Sequence, residues 1–179
     1  MHIIPLVVLY ALLAISVFTD LTTNRIPNAI TLPAIVFALT WQGLLAGWGG
    51  LIGAGAGFGI GVAAFLPMYL LGGMGAGDVK LMAASGSLLG PVGAVVAVGV
   101  TLIVGGFIGV LVLLKNRGLG EHFMLWMPPA LHRFFNLHPS SPRDTSLKLR
   151  FPYATAIAFG AVVAALSANG VSSTPGLGN

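Results

Sequence analysis

The chain has 179 residues, of which 56% are hydrophobic and only 7% charged, where a soluble domain carries about 25% charged residues. Together with a mean hydropathy of +0.97, this excludes a soluble enzyme, a disordered chain and a nucleic-acid binder, even though the net charge is +4. The sequence contains no cysteine, which rules out a disulfide framework, a Cys-based zinc site and a thiol nucleophile, and leaves an all-α, polytopic membrane bundle of one domain.

Uncharged stretches run over 1–19, 26–77, 81–114 and 151–179, and one crossing needs about 20 apolar residues. The first stretch predicts a helix over 3–19. It does not read as a cleaved signal peptide, because no basic residue precedes the apolar run and no A-x-A-like site precedes Asp20. The second stretch has room for two crossings, 29–46 and 51–71, broken at Gly47-Trp48-Gly49-Gly50, where glycines turn the chain and Trp48 suits the membrane interface. The third breaks at Gly90-Pro91 into a short helix over 79–89 and a longer one over 92–114. A last crossing over 152–168 precedes a Ser/Gly/Pro tail.

Six crossings place every charge on one side. Asp20 and Arg25 fall between the first two helices, Asp78 and Lys80 between the third and fourth, and the other eight charged residues lie between Lys115 and Arg150. Positive-inside bias makes that face cytoplasmic and puts both termini outside. The loop 115–150 mixes Phe123, Trp126, Met127, Leu131, Phe134 and Phe135 with His and Arg, which predicts an interfacial helix broken at Pro128-Pro129 on the headgroups of the lipid bilayer.

Asp20 and Asp78 are the two carboxylates at membrane boundaries. An aspartate in the hydrocarbon costs about 2.5–3.5 kcal/mol on insertion scales, so a chain this sparing of charge keeps one there for a reason. Read singly, Asp20 is a boundary residue capping a turn through Thr22 or Thr23, and Asp78 is a helix N-cap. Read together, they lie on one face, and Asp78 follows Gly72-Gly73-Met74-Gly75-Ala76-Gly77, a run that lets the backbone approach closely. The helix after it, about 11 residues or 16 Å long, is too short to span about 30 Å of hydrocarbon, which predicts that Asp78 sits below the surface in a wet cavity. Two adjacent aspartates share one proton and can serve as base and acid for the hydrolysis of an amide.

Asp20-Leu-Thr-Thr-Asn-Arg-Ile-Pro27-Asn28 and Gly75-Ala-Gly77-Asp78-Val-Lys80-Leu81 resemble the two aspartate motifs of the type IV prepilin peptidases, the GxGD class of intramembrane aspartyl proteases. Phe151-Pro152-Tyr153-Ala154 is a fainter echo of that family's last helix, with Ala154 in place of its usual glycine. The resemblance implies that Asp20 and Asp78 form a catalytic dyad and that Gly75, Gly77, Lys80, Pro27 and Asn28 support it. It also implies an aspartic endopeptidase without metal or other cofactor, which removes the short basic leader of prepilin or pseudopilin precursors at the cytoplasmic face of the bacterial inner membrane. Pilus-assembly machinery is an expected partner, and the compact length is similar to the short Tad/Flp pilus type. Larger members carry a Cys-bearing cytoplasmic segment linked to N-methylation, which this sequence lacks, so methyl transfer is not expected. Presenilin and signal peptide peptidase share the Asp pair, but Pro129-Ala130-Leu131 falls in the basic loop and not at their helix, so it reads as coincidence.

Other features take simpler readings. Lys80 lies two residues after Asp78 and points away from it on a helix, so it either snorkels to the headgroups or orients Asp78 or the leader. Pro27 suits the first turn of the second helix, and Asn28 is placed to hydrogen-bond near Asp20. Gly53, Gly57 and Gly61, and likewise Gly105 and Gly109, follow a small-xxx-small period expected of close helix packing. His122, His132 and His138 lack the spacing and acidic company of a metal site. The competing functional readings are a proton-coupled transporter using the aspartates as a relay and a packing subunit of a secretion complex.

Overall fold

The computed structural model describes residues 3–23, 26–71, 74–115 and 153–171. Every element among them is helical: α1 (Ile3–Thr23), α2 (Asn28–Leu70), α3 (Ala76–Lys115) and α4 (Tyr153–Val171). Of these, α1, α2 and α3 are long and apolar enough to cross a membrane, and α4 contributes a shorter apolar helix. The basic loop with its Pro128-Pro129 break, Arg25, Gly72-Gly73, Pro152 and the Ser/Gly/Pro tail lie outside the described residues.

α2 has 43 residues and would measure about 65 Å if straight, more than twice the hydrocarbon thickness of about 30 Å. It is broken at Ala46 (φ −125°, ψ 15°) and Gly47 (φ 57°, ψ −139°), and α3 is broken at Gly90 (φ 74°, ψ −178°). Both positive-φ positions are glycines, the residue that adopts this backbone without a Cβ clash. Pro91 adds a second reason, since it lacks an N–H and pushes the residue before it into an extended ψ. The chain doubles back at both breaks. Residues eight apart in a straight helix are about 12 Å apart, yet a Cβ on Gly50 would collide with the Gln42 carbonyl, and one on Gly86 would lie 3.3 Å from the Ala94 Cβ.

α1 runs one turn further than the predicted 3–19, so Asp20 lies inside the helix and does not follow it. The last turn is satisfied by threonine: the Thr22 hydroxyl donates to the Phe18 carbonyl (2.8 Å) and the Thr23 hydroxyl to the Thr19 carbonyl (2.7 Å). These threonine hydroxyls therefore bond back along α1.

The bundle is centred on the first arm of α3, where residues 81–88 are buried without interruption. Small side chains make this possible. A Cβ on Gly57 would strike the Gly86 carbonyl and one on Gly86 the Gly57 carbonyl, while one on Gly61 would come within 2.7 Å of the Met82 oxygen. The second arm of α2 thus packs backbone to backbone on α3. α4 does the same on the far arm of α3, with Gly160 against Thr101 and the Ala97 carbonyl. Gln42 Nε2 donates to the Ser87 carbonyl at 2.6 Å and ties the first arm of α2 to the same core. Not every glycine of the predicted stripes packs in this way. Gly53 makes an ordinary 3.8 Å approach to Gln42, and Gly105 and Gly109 meet nothing within 4 Å.

Large apolar side chains such as Leu44, Trp48, Val92 and Ile103 are more than two-thirds exposed. In water this would drive aggregation. In a bilayer it is the lipid contact surface, and helix association rests on close packing of small residues.

Candidate active site

The end of α1 and the starts of α2 and α3 meet at one end of the bundle, and the contacts that hold them there define the site. Gly75 precedes the first helical residue of α3, so it occupies the N-cap position and Asp78 the third helical position. The Gly75 N–H donates to Asp78 Oδ2 at 3.1 Å, and the Asp78 N–H donates to the Gly75 carbonyl at 3.1 Å. This is the return half of a capping box, in which the side chain at the third helical position reaches back to the N-cap backbone. Asp78 is therefore not itself the N-cap. Asp78 is 9% exposed, and its carboxylate faces the positive end of the helix dipole.

The neighbouring glycines act through close approach and not through a left-handed backbone, since Gly47 and Gly90 are the only positive-φ glycines among the described residues. A Cβ on Gly77 would lie 3.0 Å from the Ile26 Cβ, and one on Gly75 would lie 3.3 Å from Asp78 Oδ2. Gly77 thereby lets the first turn of α3 rest on the chain just before α2.

Pro27 stands at the N-cap of α2 with extended backbone (φ −68°, ψ 136°), one position before the helical turn predicted for it, and its carbonyl accepts from the Ile30 N–H at 3.3 Å. Asn28 opens α2. Its Oδ1 accepts from Lys80 Nζ at 2.8 Å, so Asn28 is engaged by Lys80. Lys80 neither runs free to the headgroups nor turns back to Asp78. It clasps the start of α3 to the start of α2.

Asp20 is half-buried in the last turn of α1. A carboxylate at a helix C-terminus faces the negative end of the dipole, which disfavours it by about 0.3–1 kcal/mol, and no basic residue shares that turn. Helix stability therefore does not account for an acid at this position. The Asp20 charge acts on Asp78, and the Asp78 charge in turn acts on Tyr153 at the start of α4. Two acidic side chains 58 positions apart in the chain thus lie within electrostatic range of each other, and the half-buried Tyr153 lies within range of Asp78. Tyr153 is the addition that the sequence signalled only faintly, as the residue after Pro152 in the echo at 151–154. No group of three His, Asp or Glu side chains occurs among the described residues.

A model of the type IV leader peptidase family matches residues 7–114, which span Asp20 and Asp78. A prepilin leader peptidase/N-methyltransferase of Bacillus subtilis (strain 168) is 33% identical over 134 residues, covering 73% of this chain and 53% of that protein. The chain thus spans about half the length of this curated relative. No solved structure matches it. With the matched segment covering most of the chain and both acidic motifs, the chain belongs to the type IV leader peptidase family.

Proposed function

We propose that the chain is a membrane-embedded aspartic endopeptidase that removes the short basic leader from type IV, Flp-like prepilins at the cytoplasmic face of the bacterial inner membrane. The observation that supports this reading is that Asp20 and Asp78 both lie within the segment shared with the leader peptidases, with the Asp20 charge acting on Asp78. In the proposed topology, α1, the two arms each of α2 and α3, and α4 make six crossings. The end of α1 and the starts of α2, α3 and α4 then face the cytoplasm together with the basic residues.

The aspartates share a single proton. The charged member takes a proton from water as its oxygen attacks the scissile carbonyl carbon, and the protonated member donates to the carbonyl oxygen. Collapse of the tetrahedral intermediate breaks the C–N bond, and the departing amine takes up a proton from the pair. The products are a free leader carboxylate and a new amino terminus, and no cofactor enters the balance. Gly75 holds Asp78 in place, Gly77 and Pro27 set how closely α3 approaches the start of α2, and the Lys80–Asn28 bond maintains that approach. A prepilin threads its basic leader toward the charged face and leaves its hydrophobic segment in lipid, which brings the bond between them to the dyad.

The test is co-expression with a candidate prepilin, scored by the size shift on cleavage. Asp20→Asn and Asp78→Asn should each abolish processing while the protein still inserts at normal levels. Normal processing by either variant would remove the dyad from the mechanism.

A further inference from the structure

A hydroxyl on an apolar helix ordinarily satisfies itself by bonding to the carbonyl one turn earlier. Thr19, Thr22, Thr40, Ser87 and Thr101 do so at 2.6–2.9 Å. Ser16, Thr31 and Ser85 do not. Each is at most 1% exposed, and its oxygen has no hydrogen-bond partner among the described residues.

Their positions follow a pattern. Ser16 lies four residues before Asp20 on the buried face of α1, and Thr31 lies three residues after Asn28 on the buried face of α2. Ser85 lies seven residues after Asp78, two turns along α3 and on the same face. Each hydroxyl is therefore about 4.5–10.5 Å deeper in the bundle than a residue of the candidate site. The three faces pack onto one apolar cluster, to which α1 contributes Leu12, α2 Ala34 and α3 Met82. Trp41 Nε1 is also unpartnered, but it lies 13 residues beyond Asn28 and belongs to the opposite half of the bundle.

An unpartnered hydroxyl deep in an apolar bundle is unfavourable, and here one occurs on each of three helices. No two of them are hydrogen-bonded to each other, so within the bundle only a small polar molecule could join them. Neutral groups that both donate and accept suit water and not an ion, and buried water binds where several polar groups are otherwise unmatched. We infer that Ser16, Thr31 and Ser85 hold ordered internal water between α1, α2 and α3, on the membrane side of Asp20 and Asp78, as a reserve for the water consumed at the aspartates. The site stands on the hydroxyls themselves, while its supply role rests on the proposed endopeptidase reading.

Ser16→Ala, Thr31→Val and Ser85→Ala remove each hydroxyl with little change of shape. The expected result is a lowered thermal unfolding midpoint for each variant in detergent and a several-fold slower cleavage of prepilin. Water-edited solid-state NMR of the wild-type chain in lipid should show magnetisation transfer from water to Ser16, Thr31 and Ser85. Midpoints unchanged or raised, as follows when a dry unpartnered hydroxyl is deleted, or no transfer from water, would overturn the water site. Full-rate cleavage by all three variants would overturn the supply role. A wrong assignment of the aspartates would appear separately, as normal cleavage by Asp20→Asn or Asp78→Asn with the NMR transfer intact.

Discussion

Replacing Gly77 by alanine adds a single methyl group, and its position in the structure sets the consequence. That Cβ would lie 3.0 Å from the Ile26 Cβ, whereas two carbons are comfortable at about 3.5–4.0 Å. The start of α3 and the chain before α2 must therefore separate by about 0.5–1 Å. The contact is between Cβ atoms, so no side-chain rotation relieves it. Asp78 is the next residue and moves with the first turn of α3. A misplacement of about 1 Å can cost about 100-fold in rate, so cleavage of a prepilin by Gly77→Ala should fall about 10- to 100-fold. Stability should not fall in parallel, because alanine gains up to about 1 kcal/mol over glycine in a helix, which offsets the strain. The assay is the initial cleavage rate of a purified prepilin in mixed micelles, with the unfolding midpoint measured on the same samples. The double variant Gly77→Ala/Ile26→Gly removes the opposing Cβ and should recover most of the rate. Wild-type cleavage by the single variant, or no recovery in the double, would refute the steric argument.

Two further outcomes follow from the packing and the clasp. Gly57→Ala and Gly86→Ala force apart two backbones already in contact and should each destabilise the protein by about 1–3 kcal/mol in reversible detergent unfolding, whereas Gly55→Ala and Gly59→Ala, which meet nothing within 4 Å, should leave the midpoint unchanged or slightly raised. Lys80→Met and Asn28→Ala each break the exposed 2.8 Å bond, which is worth about 0.5–1.5 kcal/mol, and the double variant should be no less stable than the worse single one in a double-mutant cycle.

The local features of the chain were legible as sequence because each obeys a rule that operates within a few residues. The scarcity of charge marked the apolar helices, and the Gly90-Pro91 pair announced the break at Gly90. The chemical oddity of Asp20 and Asp78 stood out against an uncharged background. Their neighbourhood was less legible. Asp78 read singly looked like an N-cap, but the cap position fell to Gly75 once α3 began at Ala76, and Lys80, read as snorkelling or as orienting Asp78 or the leader, instead reaches Asn28 across the α2–α3 interface.

What only the tertiary structure decided was which faces meet. In a soluble helix, polarity marks the outside and reveals the inside. In a bilayer the lipid-facing and bundle-facing residues are equally apolar, so nothing along α2 or α3 told the packed glycines from the open ones. Gly57 found Gly86, while Gly105 and Gly109, spaced in the same way, met no one. For the same reason Ser16, Thr31 and Ser85 drew no notice as letters in an apolar run. They became conspicuous only when three helices closed around them and left their oxygens without partners.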